Sequence, residues 1–207
     1  MKIIRRGLIL LLFCANLVLL VYVLHGIKEP MQEIPAANVT VVKAREQTAA
    51  EEHPDFVKEE YVLVLPEGKN VAVDKPISAS SFNDVYAANK ANDGNAGDAS
   101  YWEGKNEYPN TLTIDLEAPI PIHTIRLCLN PMDIWGTRTQ EISVKISQDG
   151  TNYTELVGSK EYTFDPAAGN EAQIPFDEVE AQYVQLEITS NSGANGGQIA
   201  EFEIYSR

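Results

Sequence analysis

The chain has 207 residues, a length that fits one or two domains, and a formal net charge of −14. The charge is divided: residues 1–28 carry Lys2, Arg5, Arg6 and Lys28 and no acid, while the other 179 residues hold 12 basic and 30 acidic groups. A part that acidic repels polyphosphate, which excludes nucleic acid as the expected partner. Cys14 and Cys128 lie in different regions and make neither a disulfide framework nor a zinc spacing.

From Gly7 to Ile27 the chain is almost wholly apolar, broken by Asn16 and His25. About 20 such residues suffice to span a bilayer, so a transmembrane helix is expected over 1–28. Lys2, Arg5 and Arg6 precede it, which puts the N-terminus in the cytoplasm and the remainder outside. A cleaved signal peptide is the alternative, although bulky Tyr22-Val-Leu-His25 offers no small-x-small site and Ala36-Ala37 lies well beyond the apolar run. Phe13 before Cys14 argues against a lipoprotein signal. In either case the rest of the chain is exported.

Residues 29–68 contain Pro30, Pro35, Pro54 and Pro66 and an Ala/Glu-rich run from Thr48 to Glu52, and read as an acidic extracytoplasmic linker. Tyr61-Val-Leu-Val-Leu65 is its apolar exception, either an edge strand or an adhesive piece of linker. Beyond Gly68 the period changes to two, in Thr111–Leu116, Thr124–Leu129, Glu141–Ile146, Tyr183–Ile188 and Glu201–Tyr205. Asp149-Gly150, Ala168-Gly-Asn170 and the Asn191–Gly197 loop punctuate these strands. Short antiparallel strands in this number predict an all-β sandwich over 69–207, large enough to bury a normal core. Cys128 falls in a strand and reads as a small core residue.

Four pieces in order then carry a family resemblance: Asn70-Val-Ala with Ser78-Ala-Ser-Ser81; Ala87-Ala-Asn-Lys-Ala-Asn-Asp-Gly-Asn95 with Ser100-Tyr-Trp102; Leu112-Thr-Ile-Asp-Leu116; and Ala200-Glu-Phe-Glu-Ile-Tyr205. Together they resemble the discoidin family, the coagulation factor 5/8 type C domains, over about Lys69 to Tyr205. Glu117 departs from the pattern, standing where the family usually has glycine. The segment Asn130–Gln140 is similar to that of modules attached to bacterial polysaccharide-degrading enzymes, and the terminal disulfide of the animal members is absent. The resemblance therefore implies a discoidin-type jelly-roll sandwich of the bacterial, galactose-binding-like branch, whose members bind sugars. It also implies one structural calcium held by the Lys90 carbonyl, Asp93, Asn95, Ser100, the Ala200 carbonyl and Glu201. Asp93 in a glycine-permitted loop suits such an oxygen site, and an ordinary Asx turn is the alternative.

A sugar site needs an aromatic face and planar hydrogen-bonding groups on loops at one end of a sandwich. Trp135 and Arg138, three apart in a Gly/Pro-containing loop with Asn130, fit that need, as do Glu103, Asn106 and Tyr108 in the loop before Leu112; the alternative for the first pair is that Trp135 caps the sandwich with Arg138 stacked on it or paired to an acid. The loop at Asn191 is placed to close over the same end. Trp102 is expected to pack in the core. His25, His53 and His123 are the only histidines, and none forms a credible nucleophilic arrangement. With helix and linker alone outside the sandwich, no catalytic domain is expected. Two functions remain: binding of a glycan or cell-envelope polysaccharide near the membrane, or docking onto a surface protein partner without sugar binding.

Overall fold

The computed structural model describes residues 2–26 and 61–207, the side chains of 2–10 and 24 excepted. Two compact units divide the chain, and the residues from 61 onward belong to the second. The expected linker lies outside the described residues as far as residue 60, and with it His53 and Ala36-Ala37.

Helix α1 runs over Lys2–Gly26. Its aliphatic run, free of Pro and interrupted before the last turn by Gly7 alone, favours continuous helix. The Asn16 amide donates to the Leu12 carbonyl at 2.9 Å, so its polar group is partly satisfied within the helix. Among the described residues no helix is long and apolar enough to cross a membrane.

The second unit is all-β. Nine strands follow in order: β1 (Lys69–Asn70), β2 (Ile77–Ala79), β3 (Trp102–Glu103), β4 (Asn110–Cys128), β5 (Arg138–Ser147), β6 (Thr154–Phe164), β7 (Glu171–Asn191), β8 (Gln198–Ile199) and β9 (Glu201–Ser206). Seven strands form one hydrogen-bonded sheet in the order β1-β9-β4-β7-β5-β6, with β2 on the free edge of β4, and β3 pairs with β8. All pairings are antiparallel.

The sandwich arises because β4 and β7 serve both layers. The first half of β4 pairs with β2 and with the end of β7; its second half pairs with β9 and the start of β7. Register shifts separate the halves, between Asp115 and Ile120 and between Ile122 and Thr124. Pro119 and Pro121, which lack the N–H a regular ladder needs, fall in or beside this break. Strands commonly change sheets at such bulges. Leu112 and Ile114 from one half and Ile125 and Leu127 from the other belong to a single buried core, closed by Trp102, Phe164 and Phe202.

Trp102 is fully buried, its indole N–H donating to the Ser81 carbonyl at 2.9 Å. Cys128 is also buried, and both cysteines are free thiols. The residue at the family's glycine position, Glu117, has φ +67°, the left-handed backbone that glycine adopts without strain. Arg126 ties three neighbouring strands of one layer together, pairing with Glu171 of β7 and with Glu203 of β9 at 2.8 Å.

Tyr61–Leu65 is not a strand. The segment nevertheless holds to the sandwich, the Tyr61 hydroxyl donating to Glu171 at 2.5 Å and the Gln173 amide to the Val64 carbonyl at 2.7 Å.

Candidate loop-end binding site

The starts of β5 and β8 and the approach to β3 meet at one end of the sandwich, where three aromatic rings and a guanidinium line an open cavity of about 380 Å³. Trp102 points into the core, so its neighbour Tyr101 faces the other way, out of the sandwich. Tyr101 stacks on Tyr86 with ring centroids 4.2 Å apart and meets Trp135 edge-on at 4.7 Å. Trp135 closes the short 3₁₀ turn Asp133–Trp135, which Gly136 ends. Arg138, the first residue of β5, lies over the Trp135 ring with its guanidinium carbon 4.8 Å from the centroid.

The guanidinium is fixed from behind. Arg138 Nη1 donates to Gln198 Oε1 at 2.6 Å, and Gln198 Nε2 donates to Glu103 at 2.7 Å. Asn83 donates to the other Glu103 oxygen at 2.9 Å. Gln198 itself is anchored by Gln140, which exchanges two bonds of 2.8 Å with its backbone. Arg138 Nε is buried without a hydrogen-bond partner among the described residues. Burial lowers the Arg138 pKa, with Glu103 and Tyr101 opposing that shift. Burial and then the Tyr86 hydroxyl raise Tyr101 well above the ordinary phenol. A set of flat apolar rings beside an oriented donor array can hold a ring that is apolar on one face and hydroxylated at its rim.

The sequence-derived residues divide accordingly. Trp135 and Arg138 come together, and Glu103 reaches them through Gln198. Asn191 bonds the Gly196 carbonyl at 2.8 Å and lies 3.4 Å from Gln198, so it braces its own loop beside the site. That loop does meet the Glu103–Asn110 loop, through Gly104 N–H to Gly197 O and Gly197 N–H to Asn110, each 2.8 Å. Asn106 and Tyr108 are exposed on this second loop and do not line the cavity. Burial, then Glu103, raises Tyr108. Asn130, expected among the ligand contacts, is instead fully enclosed: its amide donates to the Asp98 carbonyl at 2.7 Å and accepts from Met132 N–H at 3.0 Å. It shapes the wall from inside. Tyr86, Tyr101 and Gln198 were not singled out from sequence; for Tyr101 the signal was its place beside core Trp102, while Gln198 had none.

The residues expected at calcium also converge. Asp93 accepts from Asn95 N–H at 2.9 Å, as in an Asx turn, and from the Ser100 hydroxyl. Asn95 N–H also donates to Glu201 at 2.8 Å, tying the loop to β9. Lys90 donates to the Ala99 carbonyl at 3.0 Å, and Ala200 is buried. Glu201 is only 3% exposed and touches the Asp93 carboxyl; burial first, then that bond, push its pKa up to about 8. Among the described residues no group of three or more His, Cys, Asp or Glu is set to hold a metal. Calcium also takes hydroxyl, amide and carbonyl oxygens, so two juxtaposed carboxyls with Ser100 and Asn95 suit it chemically.

A family model described as F5/8 type C domain matches residues 76–202. No curated protein matches the chain. Among solved structures, chitosan-binding module 1 of the chitosanase/glucanase from Paenibacillus sp. IK-5 is 23% identical, with 67% of this chain and 99% of that one covered and a TM-score of 0.52. A Streptococcus pneumoniae fucose binding module is 18% identical over 70% of this chain and all of its own, at 0.52. The CBM32 of AlyQ, in complex with 4,5-unsaturated mannuronic acid, is 19% identical over 65% and 98%, at 0.54. At these identities the likeness is one of fold.

Proposed function

The chain belongs to the F5/8 type C domain family, and from that premise we propose that it is a non-catalytic, membrane-anchored, extracytoplasmic carbohydrate-binding module. The observation that carries this reading is the Tyr86–Tyr101–Trp135 aromatic wall with Arg138 stacked on it and held by Gln198 at an open cavity. Tyr and Trp rings supply stacking area at little entropic cost, and the guanidinium supplies directed donors for hydroxyls. The similar modules are named for different sugars, so they support the ligand class without selecting a member of it.

Two further parts of the proposal rest on separate arguments. Calcium between Asp93, Asn95, Ser100 and Glu201, with the carbonyls of Lys90 and Ala200, would neutralise the carboxyl pair and fasten the loop that leads into Tyr101. Anchoring rests on α1: the exposed apolar surface from Leu11 to Val23 suits lipid, and the basic residues before it set its orientation.

The test is a glycan array probed with the full chain in a sugar-free detergent and about 2 mM calcium, enough to fill a weak extracellular site. Selective binding lost in Trp135→Ala, with a cooperative thermal melt showing the variant still folded, is the expected result. No binding by the folded wild type would instead favour docking onto a surface protein.

A further inference from the structure

A second cavity, of about 500 Å³, lies on the outer face of the sheet and shares no lining residue with the loop-end site. Along β4 the buried Leu112 and Ile114 alternate with Thr111, Thr113 and Asp115, which therefore face outward. Register sets Thr113 between Ser78 of β2 and Gln185 of β7, and Asp115 beside Tyr183. A sheet face of this kind is ordinarily flat.

The turn between β5 and β6 makes it a cleft. Asp149 accepts from the N–H groups of Thr151 and Asn152, both at 2.8 Å, and holds that turn tight. Gly150, at φ +70°, lies against the Tyr183 ring so closely that a Cβ there would stand 3.1 Å from it. The turn thus folds over the sheet and brings Tyr153 to the rim.

The chemistry of the lining is specific. Serine, threonine and tyrosine hydroxyls and the Gln185 amide dominate it, and it contains no lysine or arginine. Of the two carboxylates at the cleft, Asp149 accepts on both oxygens, from Ser147 and Asn152 as well as its turn, whereas the lining residue Asp115 accepts from Glu117 N–H and Gln182 on one oxygen. Both oppose an anionic ligand by charge. The cleft offers ring faces, hydroxyls and the Gln185 amide, whose nitrogen also donates to Thr113 at 2.9 Å, and these complement an uncharged, hydroxyl-rich chain.

We propose that this cleft is a second saccharide-binding site, taking an internal stretch of a neutral polysaccharide strand along the face of β2, β4 and β7. Its volume falls in the range of ligand sites, and its open sides admit a continuing chain where the loop-end cavity receives a smaller unit. The inference rests on the glycan-binding reading for its ligand class, but not on the loop-end residues.

The experiment is affinity electrophoresis of the full chain in sugar-free detergent, through gels containing galactomannan, xyloglucan or laminarin, with alginate as the acidic control. In a Trp135→Ala background, retardation by at least one neutral polysaccharide is expected to persist. Adding Tyr183→Ala or Tyr153→Ala should raise the apparent Kd about tenfold or more, and Tyr183→Phe, which keeps the ring, should cost much less. Melting temperatures report whether each variant is folded. Retardation that survives both tyrosine-to-alanine changes overturns the proposal, as does its absence from Trp135→Ala in all three gels. In the latter case, binding by the wild type alone leaves the loop-end reading standing. Where binding is instead equal in wild type and Trp135→Ala but lost with Tyr183→Ala, the sheet-face site is supported and the loop-end one removed.

Discussion

Arg138 shows how a binding residue is set by neighbours that never touch a ligand. Its guanidinium is placed by the Trp135 ring on one side and Gln198 on another, and Gly193 closes the third. A Cβ on Gly193 would lie 2.7 Å from Arg138 Nε and 2.8 Å from Cδ, closer than such atoms approach. Gly193 is exposed and its φ is outside the glycine-favouring region, so alanine costs the backbone little. Gly193→Ala should therefore displace Arg138, weaken glycan binding about tenfold and shift stability by less than about 1 kcal/mol. Calorimetric titration with an array-identified sugar and a thermal melt read the two effects separately. Unchanged affinity would mean that Arg138 does not meet the ligand. At this scale the sequence shows residue types but not partners: Trp135 and Arg138 stood out because they are rare groups three apart in a turn. Gln198, a glutamine after two glycines, becomes visible only when β8 lays it beside β5.

At the scale of elements, the carboxyl pair joins an irregular loop to β9, and its protonation sets how firmly. In the calcium-free protein Glu201 has a folded pKa of about 8 against an ordinary 4.5. A raised carboxyl contributes stability that is fully present below the unfolded pKa and is lost as pH rises through the folded value. Calcium-free protein should thus lose stability between about pH 4.5 and 8, and the Tm increase on adding calcium should grow over that window, because the ion favours the ionised pair. Differential scanning fluorimetry from pH 5 to 8, with calcium or with chelator, measures this. A calcium shift of zero at every pH would leave the loop as an Asx turn and nothing more. The motif Asp93-Gly-Asn95 with Ser100 and Glu201 was legible because loop and strand each carry their residues contiguously. The continuity of β4 was not: Glu117-Ala-Pro-Ile-Pro121 reads as an end, yet the strand passes through it by changing register and layer. β6 was equally hidden, since Thr154–Phe164 is mostly exposed and has no buried alternate face to impose a period of two.

For the whole molecule, alternation and four ordered motifs made the fold legible, because one core demands them together; the choice of ligand is written in charge instead. Outside its first 28 residues the chain carries an excess of 18 acidic groups, and the described candidate sites differ in how they stand within that field. Among the described residues, Arg138 is the one basic group lining the loop-end cavity, and the sheet-face cleft has none. Exposed charges act over about 10 Å at 0.1 M salt and about 30 Å at 0.01 M. An acidic polysaccharide therefore meets repulsion from most of the surface at low salt before it can reach Arg138, and screening relieves that repulsion. A neutral polysaccharide meets none. Affinity for neutral glycan should stay flat between about 0.01 and 0.3 M sodium chloride, whereas any retention by alginate should strengthen as salt rises. The same electrophoresis at graded salt decides it. Alginate binding that strengthens as salt falls would show that the local field of Arg138 outweighs the acidic surface, and would redirect the search for the natural ligand toward uronates.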